Sequence, residues 1–419
     1  MNSFDYHRPT TLQQAIALHQ QGKLDEAETL YKAILEVAPA DIDMLLNYST
    51  LRIQRCDPEM AETLLKRLIT VAPKLAYGHY AYANALHALK KYDAAADAYK
   101  KAITLDPKRP DFYHNEAVNF ESTGNREAAI ASYQRGMTIP NASPLSFFNC
   151  GVLLLRAGRR EEAIAAFDTT IARMPDYADA HINRTMALNG LYRYEEALEA
   201  GLHSLKLNPG SALAHNNRGN TLMALGHAME SLTHYDQAHQ LDAEYVDPYW
   251  NRAMTHLALG NLPKGYEFYE WRWKTDAQKD QYQHFDQPLW KGEPLEGKTI
   301  YIYYEQGYGD FIQKLRFIPL LLERGARIIL ETFSPLKALI EYSIPHPNLT
   351  IITGQCPLPA FDYHCPVMSL PLAFGVTLDT LPNTVPYLKT TPEKITRWQQ
   401  LLGPKTKPRI GLVWSGAAH

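Results

Sequence analysis

The residues best suited to chemistry lie in one short stretch, YYEQGYGDFIQ, at residues 303–313. Gly307 and Gly309 fall in a predicted turn between a strand and a helix, and Asp310 falls where that helix begins. A dinucleotide-binding turn would need a third glycine where this chain has Ile312, and a carboxylate at the helix start would repel a pyrophosphate. Two interpretations of Asp310 stay open. It is either an N-cap of the helix or a carboxylate at the carboxyl end of a parallel strand, placed to accept a proton from a hydroxyl group.

Other reactive side chains are scattered over the C-terminal part of the chain. His364 and Asp362, in the segment FDYHCP, could face the same cleft, although a histidine beside an apolar strand is more often a packing or hydrogen-bonding group. Cys356 and Cys365, taken with His346 and His364, lack the spacing of metal ligands, so we expect no metal site. The sequence has no GxSxG, HExxH or P-loop motif.

The composition argues against several kinds of partner. The chain has 419 residues, 46% of them apolar, which is enough for two or three domains with buried cores. Lys and Arg total 42 against 45 Asp and Glu, so no basic excess indicates nucleic acid or an anionic membrane surface. The four cysteines form no CxxC pair, which fits a reducing compartment, and the sequence has neither a signal peptide nor an apolar run of about 18 residues. We expect a cytoplasmic protein that binds neither nucleic acid nor membrane.

An internal repeat defines the first structural elements of the chain. Prolines recur with a period of 34 residues, at Pro39, Pro73, Pro107, Pro175 and Pro209. Small residues keep the same period, at Ala27, Ala61, Ala95, Ala129, Ala163, Ala197, Ser231 and Gly265. A third column is mostly aromatic, with Leu65 and Gly201 as its exceptions: Tyr31, Tyr99, Tyr133, Phe167, Tyr235 and Tyr269. This pattern resembles the tetratricopeptide repeat (TPR).

In a TPR each unit is a pair of helices. Small residues let the two helices approach closely, the aromatic residue fills the space between units, and the proline ends the second helix. A single unit cannot bury its apolar face alone, so the units must stack. We therefore predict an α-solenoid of seven full units and a partial eighth over residues 8–273, with a concave groove.

A column of asparagines predicts what the groove binds. It is broken only by Ala81 and consists of Asn47, Asn115, Asn149, Asn183, Asn217 and Asn251. Each asparagine lies two residues before a small packing position, about 200° round the first helix from it. A row of amides on that face can hold an extended peptide by its backbone. Protein O-linked N-acetylglucosamine transferases have such a row, and this sequence is similar to them here. The predicted partner is a peptide or protein; the alternative is that asparagine is simply common at this position of TPRs for structural reasons.

The pattern changes after Trp273. Residues 274–298 are polar and rich in turn-forming residues, which indicates a linker. Apolar runs then alternate with helical patterns, the runs being 299–304, 327–331, 349–353 and 409–414, and the helical patterns 310–324, 334–343 and 392–402. This order predicts a parallel sheet covered by helices, an α/β domain over residues 299–408. Trp271, Trp273 and Trp290 are expected to attach the last repeat to it.

Four runs in this region resemble bacterial TPR proteins that carry a heptosyltransferase-like glycosyltransferase domain: PLWKGEPLEGKTI, EQGYGDFIQKLRFIPLLLERGA, FDYHCPVMSLPLAFG and RIGLVWSG. The resemblance implies the GT-B architecture, with a doubly wound acceptor-side domain followed by a donor-binding domain. It implies that Asp310 is the base for the acceptor hydroxyl, with Gly307, Gly309 and His364 in the acceptor-side loop. The reaction would invert the anomeric carbon, use a nucleotide sugar as donor substrate and need no metal or other cofactor.

The resemblance also assigns the end of the sequence. It makes residues 409–419 the first strand and turn of the donor-binding domain. We therefore expect this chain to lack a donor site and to be inactive by itself. The alternative function is a non-enzymatic adaptor whose repeats bind a protein.

Overall fold

A computed structural model describes residues 8–275, 278–279, 283–354 and 357–404. The predicted strand at 409–414 and Cys356 lie outside these described residues. The chain divides into two compact units, residues 1–225 and 226–419, and each is described here by itself.

The first unit is entirely helical in its described part. Its helices are α1 (Arg8–Gln20), α2 (Leu24–Val37), α3 (Ile42–Gln54), α4 (Pro58–Val71), α5 (Ala76–Ala88), α6 (Tyr92–Leu105), α7 (Pro110–Ser122), α8 (Arg126–Met137), α9 (Pro144–Arg156), α10 (Arg160–Arg173), α11 (Ala178–Gly190), α12 (Tyr194–Leu207) and α13 (Ala212–Ala224). Odd-numbered helices are the first helix of each pair and even-numbered ones the second. Consecutive helices pack on each other, as in a helical solenoid.

The repeated residues account for this packing. Second helices end two residues before each proline of the 34-residue column; α2 ends at Val37, for example, before Pro39. The aromatic column is fully buried in this unit at Tyr31, Tyr99, Tyr133 and Phe167. Gly151 shows why the facing position must be small, because a Cβ there would lie 2.6 Å from the Phe167 ring.

The second unit combines helices with a small sheet. It contains α14 (Ala228–Leu241), α15 (Asp247–Ala258), α16 (Leu262–Tyr269), a 3-10 turn (Glu270–Lys274), β1 (Thr299–Tyr303), α17 (Tyr308–Lys314), α18 (Ile318–Glu323), β2 (Arg327–Glu331), α19 (Lys337–Ser343), β3 (Leu349–Ile352), β4 (Tyr363–Pro366), α20 (Leu370–Ala373) and α21 (Pro392–Leu402). No helix of the described residues is long and apolar enough to cross a membrane.

The sheet is parallel, with strand order β3-β2-β1-β4. The strands predicted at 299–304, 327–331 and 349–353 are present as β1, β2 and β3. The sequence YHCP of β4 was not predicted as a strand, because its histidine and proline interrupt any apolar run. From β1 the chain first winds toward β3 and then returns to the other side of β1. The carboxyl ends of β1 and β4 therefore flank a topological switch point, where open α/β sheets bind ligands.

The sheet and the helix pair α15–α16 share one hydrophobic core. Ala253 and Tyr269 belong to the same buried cluster as Ile300 and Ile302 of β1. The expectation for the three tryptophans is met by Trp290, which is buried against Phe374 in this cluster.

Trp271 has another role. Its ring stacks on Tyr249 of α15 with the ring centroids 3.4 Å apart, so it packs the turn after α16 against α15. The Trp273 ring lies 4.4 Å from the guanidinium carbon of Arg272.

Candidate functional site

Asp310 is exposed in the first turn of α17, just beyond the carboxyl end of β1. The residue in the N-cap position is Gly307, whose backbone is extended, and Asp310 is the third residue of the helix. The interpretation of Asp310 as the N-cap is therefore wrong. Gly309 is the second residue of the helix rather than part of the turn. A carboxylate in the first turn is still favoured by the free N–H groups there.

The switch point beside this helix is filled by Arg272. Its Nε donates to Oε2 of Glu305 at 2.8 Å and its Nη2 donates to Oε1 at 2.9 Å, and both side chains are buried. Glu305 lies in the loop after β1. The backbone N–H of Met368, which follows β4, also donates to Oε1 of Glu305, at 3.1 Å. The loops that follow β1 and β4 therefore meet at one carboxylate, and the arginine paired with it comes from the end of the last helix pair.

The remaining donors of Arg272 are also satisfied. Nη1 donates to Glu270 at 2.7 Å, and Nη2 donates to the hydroxyl of Ser369 at 2.8 Å. Burial lowers the pKa of Arg272, but Glu305 and Glu270 outweigh this effect, so its pKa lies above the ordinary value. Burial raises the pKa of Glu305, and the Arg272 charge and the Met368 N–H oppose that rise. The bidentate geometry is that of an ionised pair.

Two further side chains tie this edge of the sheet to α16. Gln306 has a φ of 63°, in the left-handed region, and its amide donates to the hydroxyl of Tyr269 at 2.6 Å. Lys314, at the end of α17, is buried and its Nζ lies 3.2 Å from the hydroxyl of Tyr266. Burial lowers the pKa of Lys314 to about 8, and the nearby Arg316 acts in the same direction.

Sequence reasoning missed both Arg272 and Lys314. A signal for Arg272 was present, since it stands between two tryptophans in EWRWK, where a surface charge is unexpected. Lys314 lies four residues after Asp310 on a helix, which places the two residues on one face. The Asp310 charge opposes the fall in the pKa of Lys314.

His364 and Asp362 are not part of the acceptor-side loop. His364 is a buried residue of β4 opposite Tyr301, its Nδ1 lies 3.3 Å from the Tyr303 hydroxyl, and its ring packs on Phe285. Burial lowers the pKa of His364. Asp362 accepts a hydrogen bond from the N–H of Thr299, the first residue of β1, at 2.8 Å. It therefore lies at the amino edge of the sheet, opposite the edge that carries Asp310.

In the first unit the structure places the asparagine column on successive first helices. Asn47 and Asn183 donate at 2.8 Å to the carbonyl oxygens four residues earlier in their own helices, those of Asp43 and Asp179. The hydrogen bonds of these two amides among the described residues therefore lie within their own helices.

The other asparagines bond to neighbouring helices. Asn115 donates to the Tyr80 hydroxyl at 2.7 Å and to Asn84 at 3.0 Å. Asn149 donates to the Tyr133 hydroxyl at 3.3 Å. Asn217 is 4% exposed and donates to the carbonyl of Ile182 at 3.5 Å, so its amide is a packing group rather than an open peptide contact. Asn251, on α15 of the second unit, is half-buried.

A pocket of about 220 Å³ opens between α7 and α9, beside Asn115. Its lining includes Asp111, Leu145 and the hydrogen-bonded pair His114 and Ser146, whose Nδ1 and Oγ are 2.8 Å apart. It is a small cavity whose lining combines the aspartate and the leucine with neutral polar side chains. Within the described ranges, no three His, Cys, Asp or Glu side chains come together as a metal site.

These features define the class of the protein as a TPR array followed by a small parallel α/β sheet. Family models described as tetratricopeptide repeat match residues 18–85 and 151–212, and a model described as TPR repeat matches residues 83–118. The prediction of tetratricopeptide repeats is confirmed. A search of the curated proteins finds no match.

Several solved structures are similar to the chain. One is the C-terminal part of a TPR repeat-containing protein from Cytophaga hutchinsonii, with 14% identity over 55% of this chain and 95% of that chain, and a TM-score of 0.48. Another is PilF of Pseudomonas aeruginosa, with 18% identity over 51% and 97%, and a TM-score of 0.44. A third is YrrB, described as a TPR protein with an unusual peptide-binding site, with 20% identity over 44% and 95%, and a TM-score of 0.39.

Proposed function

We propose that this chain is a glycosyltransferase-like protein. Its repeats bind a peptide or protein, and its α/β domain presents an acceptor hydroxyl for transfer of a sugar from a nucleotide sugar. The TPR matches support the first half of this proposal, because TPRs generally bind peptides or proteins. The second half extends the resemblance of the α/β segment to heptosyltransferase-like domains.

The observation that carries the second half is the position of Asp310. It is exposed at the carboxyl edge of a parallel sheet, one loop beyond β1. In the proposed reaction its carboxylate accepts the proton of the acceptor hydroxyl while that oxygen attacks the anomeric carbon of the sugar. The new bond forms as the bond between the sugar and the diphosphate breaks, and the diphosphate leaves with the electron pair. The proposal assigns only the acceptor side to this domain.

One observation favours the alternative, a non-enzymatic adaptor. The space at the switch point, where a ligand would bind in an open α/β sheet, is filled by Arg272. The neighbouring side chains Gln306 and Lys314 are bonded to tyrosines of α16. In this reading the sheet is a cap that buries the apolar face of the last helix pair, and the repeats alone bind the partner.

A transfer assay separates the two functions. A form of the protein that also carries a donor-binding domain is incubated with peptide and sugar acceptors and a panel of radiolabelled nucleotide sugars. Asp310→Asn is assayed beside it, with the control Asp379→Asn, which changes another exposed aspartate of the second unit. A glycosyltransferase should lose about 10²–10⁴-fold in turnover in Asp310→Asn and nothing in the control. Equal turnover in Asp310→Asn would exclude it as the base. Peptide binding without any transfer would support the adaptor.

A further inference from the structure

From α3 to α13 in the first unit, the second residue of each first helix alternates between aspartate and an apolar residue. In chain order these residues are Asp43, Tyr77, Asp111, Leu145, Asp179 and Leu213. They occupy equivalent positions of successive repeats, and we call them the alternating row.

The apolar members of the row are exposed. The exposed fraction is 41% for Tyr77, 42% for Leu145 and 38% for Leu213. An aspartate in the first turn is stabilised by the free N–H groups of the helix, but this effect does not account for exposed apolar side chains at the same position. Because these side chains recur at one position of the repeat, they differ from apolar residues scattered over a surface, and they indicate a place where a partner covers them.

The chain itself shows how a basic side chain fits this row. Arg109 makes a bidentate ion pair with Asp111, at 3.1 and 2.9 Å, and its guanidinium carbon lies 5.9 Å from the centre of the Tyr77 ring. One arginine thus contacts both an acidic and an apolar member of the row.

Among the described residues, no arginine pairs with Asp179 in this way. The residue two positions before it is Tyr177, and Arg184 of the same helix pairs with Asp168 at 2.6 Å. Asp179 is exposed, and in the repeat its neighbours in the row are Leu145 on one side and Leu213 on the other. The pocket of about 220 Å³ that Leu145 lines can receive an apolar side chain of a partner. The surface thus offers an apolar, an acidic and an apolar contact in three successive repeats.

We infer that Leu145, Asp179 and Leu213 bind an extended peptide in which one arginine or lysine is flanked on both sides by apolar residues. Packed helices lie about 8–10 Å apart, and an extended chain advances about 3.3 Å per residue. Each repeat therefore spans about three residues, and the peptide pattern is apolar-x-x-basic-x-x-apolar. The inference rests on the proposed peptide binding and names the class of peptide.

The test uses fluorescein-labelled synthetic peptides and the full chain. The matched probe is a serine-rich peptide with leucine, arginine and leucine, each separated by two serines. In one comparison probe glutamate replaces the arginine, in a second serine replaces both leucines, and in a third serine replaces all three. The protein variants are Asp179→Asn and Leu145→Ser. Their controls are Asp93→Asn, which changes an exposed second residue of a second helix, and Leu202→Ser, which changes an exposed leucine of α12.

Fluorescence anisotropy should show the tightest binding for the matched probe, weakening with salt. Asp179→Asn should weaken this binding about two- to fivefold and Leu145→Ser about tenfold, with neither control changing it. If all four probes bind equally, or if the glutamate probe binds as well as the matched one, the inference is wrong while peptide binding stands. If no probe binds, while a random peptide library yields ligands of another pattern, the inference is again wrong. If neither the probes nor the library bind, the proposed peptide binding itself fails.

Discussion

The guanidinium of Arg272 and the carboxylate of Glu305 form a bidentate ion pair, at 2.8 and 2.9 Å, inside the second unit. Arg272 follows the last helix pair and Glu305 follows the first strand of the sheet, so the pair joins two elements of different architecture. The Ser369 hydroxyl accepts a further hydrogen bond from Arg272, and the backbone N–H of Met368 donates one to Glu305. A buried pair with every donor satisfied makes the position of the β1–α17 loop depend on the end of the repeat array.

Breaking this pair should be costly. Arg272→Ala leaves the Glu305 carboxylate buried without its partner, and we expect a loss of about 3–5 kcal/mol in the free energy of unfolding of the second unit. The matched control is Lys337→Ala, which removes an exposed ion pair with Glu341 in the same unit and should cost well under about 1 kcal/mol. Urea unfolding followed by tryptophan fluorescence measures both. A loss no larger than that of the control would mean that water replaces the guanidinium.

Lys314 predicts a dependence of stability on pH. Its pKa is about 8 in the folded chain and near the ordinary 10.5 when unfolded. Between these values the unfolded state binds more protons, so stability should rise with pH from about 8 to 10.5, and the cost of the buried charge is fully present below pH 8. Lys314→Met should remove that slope and stabilise the protein at pH 7 by up to about 3 kcal/mol.

The control for this prediction is Lys394→Met, which changes an exposed lysine of α21. Chemical unfolding is measured at intervals between pH 7 and 10.5 for the three proteins. The prediction is contradicted if the slope persists in Lys314→Met or disappears in the control.

Two asparagines of the same column should differ in their effect on stability. The Asn115 amide bonds to the half-buried Tyr80 and Asn84, so Asn115→Ala removes two hydrogen bonds, although Asn84 still accepts one from the Tyr99 hydroxyl, and the change should cost about 1 kcal/mol. Among the described residues, the Asn183 amide bonds to the carbonyl of Asp179 in its own helix, and Asn183→Ala should change stability by less than about 0.5 kcal/mol. Thermal unfolding of the two variants measures the two changes in stability. Equal losses would show that the column acts as one structural element.

Gly151 tests the packing of the repeat. In Gly151→Ala the new methyl group would lie 2.6 Å from the ring of the fully buried Phe167, and the clash should cost about 1–3 kcal/mol. Alanine regains about 1 kcal/mol of helix propensity, so the net change should still be destabilising. In the control Gly190→Ala the new methyl meets the flexible, exposed side chain of Arg160, which can turn aside. Calorimetric melting temperatures should fall only for Gly151→Ala.

The helical repeat was predictable because its determinants are local. Five second helices, α2, α4, α6, α10 and α12, end two residues before a proline, and the aromatic column is buried as its period implies, from Tyr31 to Phe167. Contacts within a TPR array join residues close in the sequence, so a fixed period carries the information. Strands β1, β2 and β3 were predictable for a similar reason, since each is a short apolar run with turn-forming residues around it.

The candidate site was less predictable. Asp310 lies where the sequence placed it, at the start of a helix after β1, but the N-cap residue is Gly307. His364 is a packing residue of β4, and this strand was not predicted because its sequence is not an apolar run. The asparagines of the column differ in their hydrogen-bond partners. Asn183 bonds within its own helix, whereas Asn115 bonds to α5 of the preceding repeat.

The elements that depend on neighbours in the chain could be predicted from the sequence, namely the helix pairs and strands β1, β2 and β3. The positions of the buried charges follow only from the assembled fold. Arg272 is 33 residues from Glu305 and 97 from Ser369. The residues that surround each of them in the sequence do not indicate that the three side chains will be hydrogen-bonded. A charge is stable in the interior only when folding brings its partners within hydrogen-bond distance. Whether such a side chain is buried is therefore a property of the assembled fold.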